Sequence, residues 1–126
     1  MGIFNAIVKL RNATSPSEVL EIPAKVDTGA TLLVLPGTIA EQLKLTTIRR
    51  QRVKYANEET ADRDVVGVVE LEVCGRKGWF EAVAEPKKNY ALLGAVVMET
   101  LDLIVEPRAM QVYASPRSIL PMAEIE

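Results

Sequence analysis

The residues of this chain with the clearest potential for chemistry are Asp27-Thr28-Gly29. Asp27 ends an apolar, strand-like run over residues 19–26, and Ala30 leads into a second apolar run. A carboxylate between a buried strand and a glycine turn is costly to desolvate, so we expect it to have a partner or a task. We hypothesise that the task is acid–base catalysis by two carboxylates, with the second supplied by another copy of the chain. The alternative is an ordinary turn, in which the side chain of Asp27 accepts a hydrogen bond from a nearby backbone N–H.

The composition excludes several kinds of catalysis. The 126 residues include no histidine, which rules out Ser-His-Asp and Cys-His catalysis and histidine-ligated zinc. Cys74 is the only cysteine, so an intrachain disulfide is impossible and a reducing, cytoplasmic location is expected. With no base to activate it, we interpret Cys74 as a small buried core residue.

The charge pattern indicates neither a nucleic-acid nor a membrane partner. Net charge is -2, and the densest basic cluster, at residues 49–54, has no interleaved aromatic side chains. We therefore predict that this cluster is a solvated loop. No apolar run approaches the roughly 20 residues needed to span a bilayer, and the N-terminus does not have the pattern of a signal peptide.

Short apolar–polar alternations predict an all-β protein, closed or sandwich-like, in a single domain over residues 1–126. The strands are predicted at 3–10, 19–26, 31–35, 52–55, 65–73, 79–84, 91–93, 103–105 and 110–113. A short helix is expected from 36–38 onward and another at 96–101. Residues 75–78 give a turn signal.

Three motifs in order resemble the retropepsins, the single-domain aspartic proteases of retroviruses, and their cellular and bacterial relatives. Asp-Thr-Gly-Ala lies at 27–30, a hairpin with a polar tip at 53–66, and Leu92-Leu93-Gly94 last, before a short helix. The resemblance covers roughly residues 3–106. It implies an all-β, retropepsin-like acid protease barrel with one or two short helices. Residues 107–126 would be a C-terminal extension, in which Met110, Val112, Tyr113, Ile119, Leu120 and Met122 could add strands to a subunit interface.

The resemblance implies an aspartic endopeptidase that acts on a peptide or protein substrate as a homodimer. Each chain would present Asp27 at the dimer axis, with Thr28 bonded across to the partner and Gly29 and Ala30 supporting the loop. Two such carboxylates share a proton and activate water, so neither a metal nor a cofactor is needed. The alternative is a non-catalytic module that binds an extended peptide by strand addition on the same fold.

The resemblance also indicates which residues surround the substrate. The tip of the hairpin, Tyr55, Ala56, Asn57 and Glu58, would be the flap, although it lacks the glycines of the family. The wall of the cleft would be formed by Leu32, Tyr90, Ala91, Leu92 and Gly94. Since these are mostly apolar, we expect cleavage between apolar residues.

Overall fold

The computed structural model describes residues 4–15 and 18–117, which form nine strands and two short helices. The strands are β1 (Phe4–Asn12), β2 (Leu20–Val26), β3 (Leu33–Pro36), β4 (Thr46–Lys54), β5 (Thr60–Val73), β6 (Arg76–Glu85), β7 (Ala91–Leu93), β8 (Leu103–Glu106) and β9 (Gln111–Ala114). The helices are α1 (Gly37–Gln42) and α2 (Ala95–Thr100). Neither helix is long and apolar enough to cross a membrane.

Six strands close into a barrel in the order β1-β2-β7-β3-β6-β5, and β5 pairs back onto β1. The fourteen-residue β5 serves two partners, since its first half pairs with β4 outside the ring and its second half closes the barrel. Its register on β6 shifts between Val66 and Val69, where the strand passes from one role to the other. The prediction of an all-β, retropepsin-like barrel with short helices is confirmed.

The core is aliphatic because alternate strand positions point inward. On β1, Val8 and Leu10 are buried while Lys9 and Arg11 are exposed. The largest fully buried apolar side chains come from six elements or their ends: Val8, Leu10, Leu33, Leu35, Leu43, Val65, Val69, Leu71, Leu93, Val97 and Leu101. This core supports the sheet from which the Asp27 loop emerges.

The basic cluster at 49–54 lies on a strand, so the prediction of a loop was wrong. β4 extends from Thr46 to Lys54 and pairs in antiparallel register with β5. Opposite charges on neighbouring strands stabilise such pairing. Two ion pairs join β4 to β5, Arg50–Asp64 at 3.0 Å and Arg52–Asp62 at 3.2 Å. Arg49 pairs with Glu81 on β6 at 3.0 Å, and Lys54 pairs with Glu58 in the hairpin turn at 3.3 Å. The cluster is solvated as expected, and its charge is matched by acids.

Cys74 is exposed, which corrects the prediction of a buried core residue. It forms the turn between β5 and β6 with Gly75, and both residues have positive φ, 54° and 75°. Such a two-residue turn suits the twist of a hairpin. Because the turn is so short, Arg76 already belongs to β6 rather than to the predicted four-residue turn.

The β8–β9 hairpin is attached to the barrel through the buried guanidinium of Arg76. Its Nη1 donates to the carbonyl oxygens of Leu101 at 2.9 Å and Asp102 at 3.2 Å, and its Nη2 donates to that of Ser115 at 3.1 Å. β9 is the second strand of this hairpin, and it belongs to the predicted C-terminal extension, residues 107–126. Residues 118–126, with Ile119, Leu120 and Met122, lie outside the described residues.

Replacing Arg76 by Met should lower the free energy of unfolding by about 3 kcal/mol, because buried carbonyls lose a charged donor. Urea denaturation measures the change. Lys77→Ala, on the exposed neighbour of Arg76, is the control and should change stability by less than about 0.5 kcal/mol. Equal stability of Arg76→Met and the wild type would show that the guanidinium does not hold the hairpin.

Candidate active site

The main chain of Asp27 is fixed by an unusual strand order. β7 lies between β2, to which it is parallel, and β3, to which it is antiparallel. The connection from β2 to β3, residues 27–32, therefore has to pass the carboxyl end of β7. The N–H of Asp27 donates to the carbonyl of Leu93 at 3.1 Å, so the ladder between β2 and β7 continues to the aspartate.

Gly94 allows this connection to lie directly against the end of β7. The N–H of Ala95 donates to Ala30 O at 2.8 Å, and the N–H of Val96 donates to Thr31 O at 3.0 Å. A Cβ at Gly94 would lie 2.6 Å from Leu32 O and 2.8 Å from Ala30 O. No side chain fits there, which gives the Leu-Leu-Gly motif a physical reason: it locks the Asp27 loop to the sheet.

The carboxylate of Asp27 is held within its own loop. Its Oδ1 accepts from the N–H of Gly29 at 2.9 Å, and its carbonyl accepts from the N–H of Ala30 at 3.1 Å. Asp27 is half-buried, while Thr28 and Gly29 are exposed. An ordinary aspartate turn would contain the first of these bonds, but it would not explain the close contact with Gly94. One chain thus supplies one oriented carboxylate at an exposed loop.

The tip of the β4–β5 hairpin, predicted above to be the flap, turns without glycine because Glu58 adopts the left-handed conformation, with φ 71°. The N–H of Tyr55 donates to Glu59 O at 2.9 Å, and the N–H of Glu58 donates back to Tyr55 O at 3.0 Å. The side chain of Asn57 accepts from the N–H of Glu59 at 3.1 Å. Ala56, at the same tip, is exposed. The turn is therefore well defined despite its departure from the family pattern.

The side chain of Tyr55 connects the hairpin tip to the barrel. Its hydroxyl donates to Glu85 Oε2 at 2.6 Å, and Arg63 Nε donates to Glu85 Oε1 at 3.1 Å. Glu85 is only 3% exposed. Partial burial, and then the hydrogen bond to this carboxylate, raise the pKa of Tyr55. Sequence reasoning missed this tether, since the acid lies thirty positions from the tyrosine and in another strand.

The residues proposed as the cleft wall divide by burial. Leu32, Tyr90 and Leu92 are half-buried, whereas Ala91 and Gly94 are buried, with Ala91 packed into the core. Of the residues predicted to form the cleft wall, only Leu32, Tyr90 and Leu92 therefore have side chains that are partly accessible. Among the described residues, no group of three or more His, Cys, Asp or Glu is placed to hold a metal ion.

Two lysines, which sequence reasoning did not single out, surround the ring of Tyr90. Lys25 Nζ lies 3.8 Å from the ring centroid, and Lys88 Nζ donates to the Tyr90 hydroxyl at 3.0 Å. This hydrogen bond is the main cause that raises the pKa of Lys88. The wall is therefore cationic at Tyr90, in contrast to the apolar surface expected from residue types.

Comparison with known families agrees with this geometry. A family model described as aspartyl protease matches residues 17–97, which include Asp27, the hairpin tip at residues 55–58 and Gly94. The match covers more than half of the chain, which therefore belongs to the retropepsin-like aspartyl protease family. A comparison with curated proteins gives no match.

Gly94→Ala should lower the free energy of unfolding by about 2 kcal/mol or more, because the new methyl group meets rigid backbone oxygens. The measurement is denaturant unfolding. Gly37→Ala is the matched control, since a Cβ there would lie 3.6 Å from Pro86 Cα, an ordinary contact, at the start of α1. The close-approach argument fails if both variants are equally stable.

Proposed function

We propose that the protein is an aspartic endopeptidase in which two Asp27 carboxylates, one from each subunit of a homodimer, activate water to cleave peptide bonds between apolar residues. The observation that carries the proposal is the Asp27 loop, locked against Gly94 by the hydrogen bonds of Ala95 and Val96. Membership of the aspartyl protease family supports the same chemistry.

The mechanism requires the two carboxylates to hold one proton between them, because two adjacent anions repel each other. The ionised carboxylate takes a proton from the bound water as the water oxygen attacks the scissile carbonyl. The protonated carboxylate donates to the oxygen on which negative charge develops. One carboxyl group then passes its proton to the amide nitrogen while the other carboxylate takes a proton from a hydroxyl of the tetrahedral diol, so the C–N bond breaks, the new carboxyl product forms and the pair again holds one proton.

The exposed surface beside Asp27 supports the dimer. Thr28 and Gly29 are exposed at the loop, and Val96, which is 37% exposed, lies beside the loop through its bond to Thr31. Since the chain carries Asp-Thr-Gly once, a pair requires a second copy, with Thr28 bonded to the partner. Many retropepsins brace this region with an arginine–acid ion pair. The corresponding positions here are Ala95 and Thr31, so the interface depends on uncharged contacts.

The substrate would lie between the flap and the half-buried apolar side chains. Tyr55 to Glu58 would cover it, and Leu32 and Leu92 would contact the residues beside the cleaved bond. Burial of such apolar surface contributes about 25 cal/mol per Å². The preference for apolar residues rests on these two leucines.

Asp27→Asn should abolish cleavage of an apolar model peptide while leaving the fold intact, because the asparagine Oδ1 can still accept from Gly29. Cleavage is followed by mass spectrometry, and the fold by thermal unfolding. Asp62→Asn, an exposed acid on β5, is the control and should retain activity. Wild-type rates in the Asp27→Asn variant would overturn the assignment. Peptide binding by a wild-type chain that never cleaves would favour the binding module instead.

Activity should depend on protein concentration, because a dissociated subunit has one carboxylate. Light scattering should give a mass near twice the 13.8 kDa of the chain, and the rate per subunit should fall on dilution through the dissociation constant. A monomer with the same activity per chain at every concentration would contradict the shared site.

A further inference from the structure

Lys25 and Lys88 converge on a single aromatic ring. Their Nζ atoms lie 3.8 Å and 5.1 Å from the centroid of Tyr90, and Lys88 also donates to the tyrosine hydroxyl. All three side chains are half-buried. The ring therefore places two positive charges close together on one surface.

Neither lysine forms an ion pair within residues 4–15 and 18–117. The basic side chains of β4, by contrast, all have acidic partners. The acid that acts electrostatically on Lys88, Glu85, already accepts from Tyr55 and Arg63. Contact with the ring compensates only part of the repulsion between two ammonium groups. The surface is thus complementary to an added negative charge.

Strand alternation places this surface on the same side of the sheet as the catalytic loop. Ala24 and Val26 point into the core, so Lys25 between them points outward. Asp27, two positions after Lys25, lies on the same outward face. Lys25 is in register with Leu92, and Tyr90 lies two positions before Leu92 on the same face. Leu92 therefore lies between Tyr90 and the Gly94 end of the strand.

We infer that this lysine–tyrosine surface is a subsite for an acidic side chain, Asp or Glu, of the peptide substrate. The inference rests on the proposed endopeptidase function and specifies its substrate class. Since Leu92 separates Tyr90 from the Asp27 loop, the acidic residue lies outside the two apolar residues joined by the cleaved bond. In a two-fold dimer the subsite occurs twice, so an acid is accepted on either side of that bond.

The test uses a set of decapeptides composed of Leu, Val, Ala and Phe. Each peptide carries a single Glu, at a different position in each member of the set, and a matched peptide carries Gln at the same position. At about pH 6, where glutamate is ionised, the ratio of kcat/KM for Glu over Gln should reach about three- to tenfold at one position on each side of the cut. The ratio should fall at about 0.5 M salt, since partly exposed charges are screened.

The double variant Lys25→Gln/Lys88→Gln should bring the ratio close to one. Lys87→Gln is the matched control, because it removes one charge from the same loop at an exposed lysine and should keep the wild-type ratio. A wild-type ratio of one or less at every position, or an unchanged ratio in the double variant, would overturn the subsite.

Binding separates this inference from the proposed function. Fluorescence anisotropy measures the binding of labelled Glu and Gln peptides to the wild type and to the Asp27→Asn variant. This comparison of affinities does not require either protein to cleave the peptide. If no peptide is cut, the endopeptidase proposal fails. Tighter binding of the Glu peptide that disappears in the double lysine variant then still supports the acidic subsite, and equal binding of both peptides overturns it.

Discussion

The close contact between the Asp27 loop and Gly94 is the constraint on which the rest of the site depends. β7 is inserted between the strands that the loop connects, so the loop must cross the end of β7. The crossing is possible only because Gly94 has no side chain, and it is fixed by hydrogen bonds from Ala95 and Val96. The same contact orients Asp27 and positions the start of α2, while Thr28 and Gly29 remain exposed. Gly94 is therefore needed both for the connection between β2 and β3 and for the orientation of Asp27.

The sequence predicted the features that are recorded in short contiguous motifs. The order of Asp-Thr-Gly, polar hairpin and Leu-Leu-Gly indicated the barrel, because each motif reflects a local backbone requirement. Contacts between distant residues were not predictable in this way. The tether of Tyr55 to Glu85 and the stacking of Lys25 on Tyr90 depend on the register of neighbouring strands, which composition does not reveal. Cys74 was misplaced for a related reason: turn geometry outweighed its apolar character.

The basic side chains of β4 and those around Tyr90 have different surroundings. On the outer strand β4, Arg50 and Arg52 pair with acids on β5 and Arg49 pairs with Glu81 on β6, so little uncompensated positive charge is left on this surface. Lys25 and Lys88 lie instead at the ring of Tyr90, where we infer that they contact an acidic side chain of the substrate. The contrast shows that the basic residues of this chain cannot be interpreted from their number. The acids beside them in the sheet determine which of them form ion pairs within the fold.

The tether at Glu85 has a consequence for the proposed flap. Arg63 lies two residues from Val65, which is paired with β6, so the sheet anchors Arg63 beside Glu85. In the proposed enzyme, lifting of the hairpin tip would leave the buried carboxylate its cationic partner. Tyr55 would lose its hydrogen bond to Glu85 and its ring contact with Arg63, whose guanidinium carbon lies 5.9 Å from the ring centroid. A hydrogen bond to a charged group contributes about 1.5–3 kcal/mol. The position of the proposed flap would thus depend on a side chain at its base, remote in sequence from the acid that holds it.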